Sequence, residues 1–399
     1  MPTLEKINNP DAKRLKVLIA PLDWGLGHVT RCIPVIKELL NQKCIAVAAV
    51  SDVQKTVLHS EFPDLRFVEL PGYGIKFGKN RALTIFQLIS SIPKILIRVN
   101  RENAWLRRWI LAEQPDLVIS DNRYGLYSPD VLSIFITHQL LIRTPFGPVA
   151  DRLLQRVNYR FIRRFRLCWV PDVPGPDGLA GELSHPDRMP AVPTRYIGWL
   201  SRFAAGGAAG AGLPGARDVS WDPSFELLVL LSGPEPQRTL LEERILEQAA
   251  DYTGRIVLVR GLPDGGKPLS VPARIRVYDH VPAAELEVLI RGAGQIICRS
   301  GYSTVMDLMR LGKKAILIPT PGQTEQEYLG DYLAAKGWAI CIDQKGFSLG
   351  DAMSLVTRGR AMRSAGGAVV GDRWGAELPD PAAGDELLQK EIRDVLKRF

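Results

Sequence analysis

Short apolar runs alternate along the chain with longer segments in which apolar positions recur at helical spacing. The first run, LKVLIA at 15–20, is almost uninterrupted, which is typical of a strand buried on both faces of a sheet. Helical segments follow such runs, beginning with 32–43, and this alternation predicts βαβ units around a parallel sheet. Further strands of this kind are predicted in the first half at 44–51, 65–71, 116–121 and 132–139.

The segment 204–216 interrupts this pattern, because it consists almost entirely of alanine and glycine, as loops and linkers do. Beyond it the alternation restarts, with strands predicted at 225–232, 255–261, 295–300 and 314–320. The length of 399 residues also exceeds what one ordinary core accommodates. We therefore predict an α/β protein with two Rossmann-like domains whose parallel sheets face a cleft.

The changes in composition also predict where the domains end. We expect an N-terminal domain, a linker, a second Rossmann-like domain and a C-terminal helical segment, at 1–203, 204–219, 220–375 and 376–399. The glycine-rich stretch 357–378 is expected to be a loop, and the closing helix lies within 384–399.

The composition is that of a globular protein, with 46% hydrophobic and 24% charged residues. No run reaches the roughly 18 apolar residues of a membrane-spanning helix, and the N-terminus has no apolar signal-peptide core. The five cysteines are scattered and form no CxxC pair, which favours free thiols in a reducing compartment. We expect a cytoplasmic protein.

The net charge of +8 is concentrated in part in 151–166, which holds six arginines and one aspartate. This segment could be a solvated helix face, contact an anionic membrane, or bind an anionic substrate. No nucleic-acid-binding motif accompanies it, so a nucleic-acid partner is not expected. The apolar and basic segment 83–110 could join it at the inner face of a membrane and admit a lipid acceptor. Alternatively, both are amphipathic helices that pack on the sheet.

The stretch PLDWGLGHVTR, 21–31, joins the first strand to its helix. Gly25 and Gly27 let the backbone approach a ligand, and the helix that follows presents free amides. A dinucleotide fingerprint would need glycine at position 30, where the chain has Thr30. His28 is either a structural hydrogen-bonding residue at a helix start or a general base, since its pKa suits that role at neutral pH.

A base histidine usually has an orienting partner, and Asp121 ends a predicted strand of the same sheet. The alternative is that Asp121 caps a helix or shapes a turn. The polar stretch 137–139 ends another strand at the same edge. The sequence thus permits a His28–Asp121 dyad at the carboxyl ends of the strands, where open parallel sheets bind ligands.

In the second half, a strand is followed by a polar turn and the start of a helix, which is a natural seat for a phosphate. The residues of that turn are Ser300, Gly301, Ser303 and Thr304. Asp307, one turn into the helix, could reach a ribose or merely complement the helix dipole. Ser232 and Gly233 form a second turn of this type, so two loops could clasp one diphosphate.

At these residues the chain resembles a known group. The stretch 298–333 resembles the nucleotide-sugar signature of inverting GT-B glycosyltransferases, above all the family-28 C-terminal domain. That domain occurs in the N-acetylglucosaminyltransferase of peptidoglycan synthesis and in diacylglycerol galactosyltransferases. The stretch is also similar to the family-1 signature, and the GLGH turn resembles the glycine-rich acceptor-side turn of the same families.

The resemblance implies a role for each matching residue. Asp307 would hold the ribose, Ser303 and Thr304 the diphosphate, and Glu325 and Gln326 the donor sugar. His28 would be the catalytic base and Asp121 its partner. The resemblance implies further donor contacts at His280 and Val281, in the DHVP turn beside the uracil. It also implies contacts at Arg299, which is the family-28 arginine, and at Gln323, which precedes the acid–glutamine pair.

The function expected from this resemblance is transfer of a hexose from a UDP-sugar to an acceptor hydroxyl, with inversion. No Asp-x-Asp motif lies in a useful loop, so we expect no obligatory metal and no cofactor. Two alternatives stay open: a non-hydrolysing UDP-sugar 2-epimerase, and a non-catalytic sugar-nucleotide-binding protein. A nicotinamide oxidoreductase is less favoured, because the dinucleotide fingerprint is broken.

Overall fold

A computed structural model describes residues 14–74, 78, 80–204, 225–365 and 376–399, with Leu88 and 358–365 described by their backbone only. In the first half, strands and helices alternate as β1 (Lys16–Pro21), α1 (Leu26–Asn41), β2 (Ile45–Val50), α2 (Asp52–Glu61), β3 (Arg66–Glu69), α3 (Arg81–Ser90), α4 (Ile92–Glu113), β4 (Leu117–Asp121), β5 (Leu132–Ile136), α5 (Pro148–Ile162), β6 (Leu167–Val170) and β7 (Thr194–Tyr196). The second half continues as β8 (Leu227–Leu230), α6 (Gln237–Gln248), β9 (Ile256–Val259), β10 (Ile275–Tyr278), α7 (Ala283–Gly292), β11 (Gln295–Cys298), α8 (Tyr302–Arg310), β12 (Ala315–Leu317), α9 (Thr324–Ala335), β13 (Ala339–Cys341), α10 (Leu349–Ala365) and α11 (Asp385–Leu396).

The strands form two parallel sheets, as predicted. Seven strands pair in the order β3-β2-β1-β4-β5-β6-β7, and six pair in the order β10-β9-β8-β11-β12-β13. The central strands are apolar at successive positions because helices cover both faces, and every residue of β4, β8 and β11 is buried. In the first sheet the order reverses between β1 and β4, so the loops after these two strands open at a topological switch point, where such sheets bind ligands.

Two predicted boundaries were wrong. Helix α1 begins at Leu26 rather than at residue 32, because Gly25, with φ of +76°, turns the chain sharply and the helix starts immediately after it. Helix α10 runs on to Ala365, across part of the predicted loop 357–378. Its buried Leu349 and Ala352 anchor the start of the helix in the core of the second half, ahead of the segment that was predicted to be a loop.

The two sheets fall within the two predicted domains, with β1–β7 inside 1–203 and β8–β13 inside 220–375. The predicted linker 204–219, apart from its first residue, lies outside the described residues, so the domain boundaries stay predictions. The closing helix α11 is confirmed. It packs against the first half, where Gly384 meets Gly198 backbone to backbone.

Candidate functional site

The two glycines in the turn from β1 into α1 have different structural roles. Gly25 has φ of +76° and ψ of −176°, a region that essentially only glycine adopts, so a residue with a Cβ atom would be strained by about 1–3 kcal/mol. Gly27 instead provides space, because a Cβ atom there would lie 3.0 Å from Oγ of Ser303 in the other half. The Ser303 hydroxyl donates a hydrogen bond to the Gly27 carbonyl at 2.7 Å. The N-termini of α1 and α8 are thus in direct contact.

His28 and Asp121 are neighbours, as the sequence analysis predicted. Strand β1 pairs with β4 so that Pro21 lies beside Asp121, and α1 carries His28 back over that edge. The imidazole Nδ1 lies 2.9 Å from Oδ2 of Asp121. Because the carboxylate accepts, Nδ1 carries the proton and Nε2 keeps its lone pair. The Asp121 carboxylate is fully buried, whereas the His28 side chain is 14% exposed.

Arg31 completes this cluster, and its contribution was not predicted. Its Nε lies 3.0 Å from each carboxylate oxygen of Asp121. Burial and the Arg31 charge lower the pKa of His28, and the opposing effect of Asp121 does not cancel them. Burial favours the protonated form of Asp121, but the charge of Arg31 and the hydrogen bond from His28 lower its pKa below the ordinary value. The cluster therefore holds a neutral imidazole beside an ionised carboxylate.

A second histidine extends the cluster into the other half of the chain. His138 follows β5 and is 2% exposed. Its Nδ1 lies 3.1 Å from Nη1 of Arg31, and its Nε2 lies 2.8 Å from Oε1 of Glu325 on α9. The side-chain amide of Gln139 donates to the other oxygen of Glu325. The predicted polar edge at 137–139 thus reaches the predicted donor-sugar acid.

A cleft of about 290 Å³ lies where the loops of both sheets meet. From the first half it is lined by Gly25, Leu26 and Val53, and from the second by Ser232, Gly233 and the loop 261–265. The predicted phosphate turn after β8 therefore faces the predicted acceptor-side turn after β1. Gly233 has φ of +100°, which favours glycine in this turn.

The polar turn before α8 lies at the same interface. Gly301 caps the helix, which begins at Tyr302, and Thr304 lies in its first turn. The Ser300 hydroxyl is buried and donates to the carbonyl of Gln326 at 2.7 Å. Ser300 thus ties this turn to the start of α9, while Ser303 ties it to α1.

Asp307 is buried and already has protein partners. One of its carboxylate oxygens accepts from the Ser201 hydroxyl at 2.7 Å, and the other accepts from Nε of Arg202 at 3.0 Å. Arg202 also acts on His280, whose pKa is lowered by burial and by this charge. Asp307, Arg202 and His280 therefore form one electrostatic group, and the ribose contact of Asp307 stays a prediction.

The other predicted donor residues contribute mainly to the architecture. Arg299 is buried and donates to the carbonyls of Gln237, Ile318 and Pro319 and to the Gln344 side chain. Burial lowers the pKa of Arg299 to about 9. Val281 is 2% exposed. Gln326 accepts from the backbone of Thr320 at 2.9 Å, and Gln323 caps α9. Their contacts with a donor stay predictions.

Among the described residues, no three His, Cys, Asp or Glu side chains are grouped so that they could hold a metal ion. The same part of the chain contains no single helix long and apolar enough to cross a membrane. Helices α3 and α4 would meet that test only as a pair, and they meet at a bend of 44°.

Comparison with known proteins identifies related sequences and folds. Residues 277–364 match the model of the glycosyltransferase family 28 C-terminal domain. The chain is 25% identical over 256 residues to the UDP-N-acetylglucosamine–N-acetylmuramyl-(pentapeptide) pyrophosphoryl-undecaprenol N-acetylglucosamine transferase of Haemophilus ducreyi, covering 54% of this chain and 70% of that protein.

Solved structures share the fold over nearly the whole chain. The glycosyltransferase of kitacinnamycin superimposes with a TM-score of 0.63 at 15% identity, over 97% of this chain and 99% of that chain. The spinosyn rhamnosyltransferase SpnG complexed with thymidine diphosphate gives 0.57 at 16% identity, over 96% and 100%. The chain is therefore a glycosyltransferase of the GT-B fold that carries a family 28 C-terminal domain in its second half.

Proposed function

We propose that this protein transfers a hexose from a UDP-sugar to an acceptor hydroxyl and inverts the anomeric carbon. The observation that carries the proposal is the 2.9 Å contact between His28 and Asp121 at the edge where the two halves meet. This contact leaves Nε2 of His28 unprotonated, and a neutral imidazole with a free lone pair is a general base.

In the proposed reaction, His28 accepts the proton of the acceptor hydroxyl through Nε2. The hydroxyl oxygen attacks the anomeric carbon as the bond from that carbon to the diphosphate oxygen breaks, and the nucleoside diphosphate leaves with the electron pair. Asp121 holds the ring and stabilises the imidazolium that forms. Attack opposite the leaving group inverts the carbon.

The leaving diphosphate gains negative charge and needs donors that are already oriented. The N-terminus of α8 provides backbone amides in contact with α1, and Ser232 and Gly233 line the cleft opposite Gly25. These groups support a diphosphate site between the halves. Uridine as the base is supported by the name of the Haemophilus relative, whereas a spinosyn enzyme of the same fold holds thymidine diphosphate.

A thermal-shift screen tests the donor. Wild type and Asp307→Asn are heated with UDP, dTDP, GDP, NAD and the corresponding sugar nucleotides, because ligands of the native state raise its melting temperature. We expect a shift with UDP and UDP-sugars that is reduced in the variant. A shift with NAD alone, or with no nucleotide, would overturn the proposal.

We also propose that the first half docks on an anionic membrane, from which a lipid-linked acceptor would enter. Helices α4 and α5 contribute to one apolar cluster, α4 through Ile95 and Val99 and α5 through Phe161. Apolar side chains of this region that are at least 41% exposed include Leu83, Phe86, Ile89, Ile92, Leu96, Ile97, Phe146, Val149, Leu153 and Val157.

Charge complementarity supports a bilayer as the partner of that surface. Exposed arginines of α5 and the residue after it alternate with its exposed apolar residues, at Arg152, Arg156, Arg160 and Arg163. An interfacial helix face of this composition inserts its apolar side chains while arginines bind anionic headgroups. The Haemophilus relative acts on an undecaprenol-linked acceptor by its name, which agrees with this proposal.

A further inference from the structure

The carboxylate at the start of α9 is held by the opposite half of the protein. His138 donates to Oε1 of Glu325 at 2.8 Å, and Gln139 donates to Oε2. Both donors follow β5 in the first sheet, whereas Glu325 follows β12 in the second. Both oxygens of Glu325 therefore receive a hydrogen bond across the interface.

The hydrogen bonds around His138 define its protonation. A guanidinium only donates, so Nδ1 of His138 accepts from Arg31 at 3.1 Å. The proton of the neutral ring then lies on Nε2 and is donated to Glu325. The ring also stacks on Tyr302 with centroids 4.2 Å apart and planes at 16°. His138 is thus fixed at both nitrogens and on one face.

Glu325 remains available to a ligand. Its side chain is 20% exposed, and each carboxylate oxygen accepts more than one hydrogen bond. Burial favours protonation, but the hydrogen bond from His138 and the positive charge of Arg31 keep the pKa of Glu325 below its ordinary value. An ionised acceptor that interacts with the base suits the hydroxyls of a donor sugar.

We propose that His138 is a positioning residue that aims Glu325 at the donor sugar, so that the sugar site is completed only by the first half. This inference rests on the proposed function and adds to it how the residue that recognises the donor sugar is positioned. It implies that His138 contributes to binding of the sugar part of the donor and not of the nucleotide part.

Two amide substitutions of His138 test its contact with Arg31 and its contact with Glu325 separately. In His138→Gln, the amide nitrogen reaches about as far as Nε2 and can still donate to Glu325. In His138→Asn, the shorter side chain can accept from Arg31 but ends short of Glu325. His59→Asn, on the exposed face of α2, is the matched control. Dissociation constants are measured by calorimetry for UDP and for UDP-glucose, UDP-galactose and UDP-N-acetylglucosamine, alongside the melting temperature of each variant.

We expect His138→Asn to weaken the preferred UDP-sugar about tenfold or more, as loss of a hydrogen bond to a charged group does. UDP binding should be unchanged, and His138→Gln should retain most of the affinity. Equal losses for UDP and UDP-sugar, or equal losses in both variants, would overturn the inference and indicate a structural role. If wild type binds none of the four ligands, the proposed function fails, and the inference fails with it.

Discussion

Arg31 binds both carboxylate oxygens of Asp121: its Nε lies 3.0 Å from each, and its Nη2 also donates to Oδ1. An aspartate that faced only a histidine would raise the histidine pKa. Here its charge is shared with a buried guanidinium, so Asp121 orients the His28 ring without keeping it protonated. The base is ready to accept a proton at neutral pH.

The pH dependence of transfer follows from this arrangement. Because burial and Arg31 lower the pKa of His28, the acidic limb of kcat/KM should lie below pH 6.5. Arg31→Gln removes the positive charge, so the limb should move to higher pH, whereas Arg31→Lys keeps the charge and should leave it nearer wild type. A limb that is the same in all three proteins would contradict this role of Arg31.

Stability should depend on the same group. The folded pKa of His28 lies below its unfolded value, so the unfolded chain binds more protons at pH values between the two. The stabilisation is complete above the unfolded pKa of about 6.5 and is lost as the pH falls through the folded pKa. The melting temperature should therefore fall below pH 6.5, and less steeply in His28→Gln. Identical slopes for both proteins would exclude this contribution.

Loss of the base should remove the chemistry and spare nucleotide binding. His28→Gln should lower kcat about 10²- to 10⁴-fold, the usual contribution of general base catalysis. Its affinity for UDP should stay at the wild-type value, because in the proposed reaction the imidazole contacts the acceptor and not the nucleotide. Steady-state kinetics measure kcat and calorimetry measures the affinity for UDP, with His59→Gln as control. An active His28→Gln protein would mean that another group takes the proton.

Asp307 should stabilise the fold by holding the segment that ends the first half. Its carboxylate is 5% exposed and bound by Ser201 and Arg202. Asp307→Asn keeps the shape but removes the charge, so we expect a loss of about 1.5–3 kcal/mol of unfolding free energy. Urea unfolding measures it, and Asp351→Asn at an exposed helix start is the control. No loss of stability would show that these hydrogen bonds are dispensable.

The exposed apolar surface of α3, α4 and α5 predicts lipid binding. Phe86 is 67% and Val149 is 80% exposed, and burying a side chain of this size contributes about 1.5–3 kcal/mol. Phe86→Ser should therefore weaken binding to phosphatidylglycerol vesicles about tenfold or more. Leu355→Ser, which removes an exposed leucine of α10, should not. Equal vesicle binding by wild type and both variants would argue against this surface.

Much of the fold could be predicted because local patterns determine it. Buried parallel strands are apolar at successive positions, so their runs stand out, although most of the observed strands are shorter than the predicted runs, by up to four residues. The proximity of His28 to Asp121 was also predictable, because both lie at the carboxyl ends of strands of one sheet and such strands end at a common edge.

The remainder of the site depends on information that spacing does not carry. Arg31 was missed because the helix was expected to begin after it, whereas α1 begins at Leu26 and places Arg31 one turn beyond His28. The link from His138 to Glu325 joins residues 187 positions apart. It exists only because of how the two sheets meet, and no local pattern indicates that arrangement.

The central claim is tested most directly by acceptor-dependent release of UDP. Wild type and His28→Gln are incubated with UDP-glucose, UDP-galactose or UDP-N-acetylglucosamine, with and without a panel of acceptors that includes diacylglycerol, polyprenyl-diphosphate sugars and small alcohols. We predict that one sugar nucleotide releases UDP only with an acceptor, that the product has the inverted anomeric configuration by NMR, and that His28→Gln slows acceptor-dependent release about 10²- to 10⁴-fold. Conversion of the UDP-sugar to its epimer without an acceptor, or release unaffected by His28→Gln, would contradict the account.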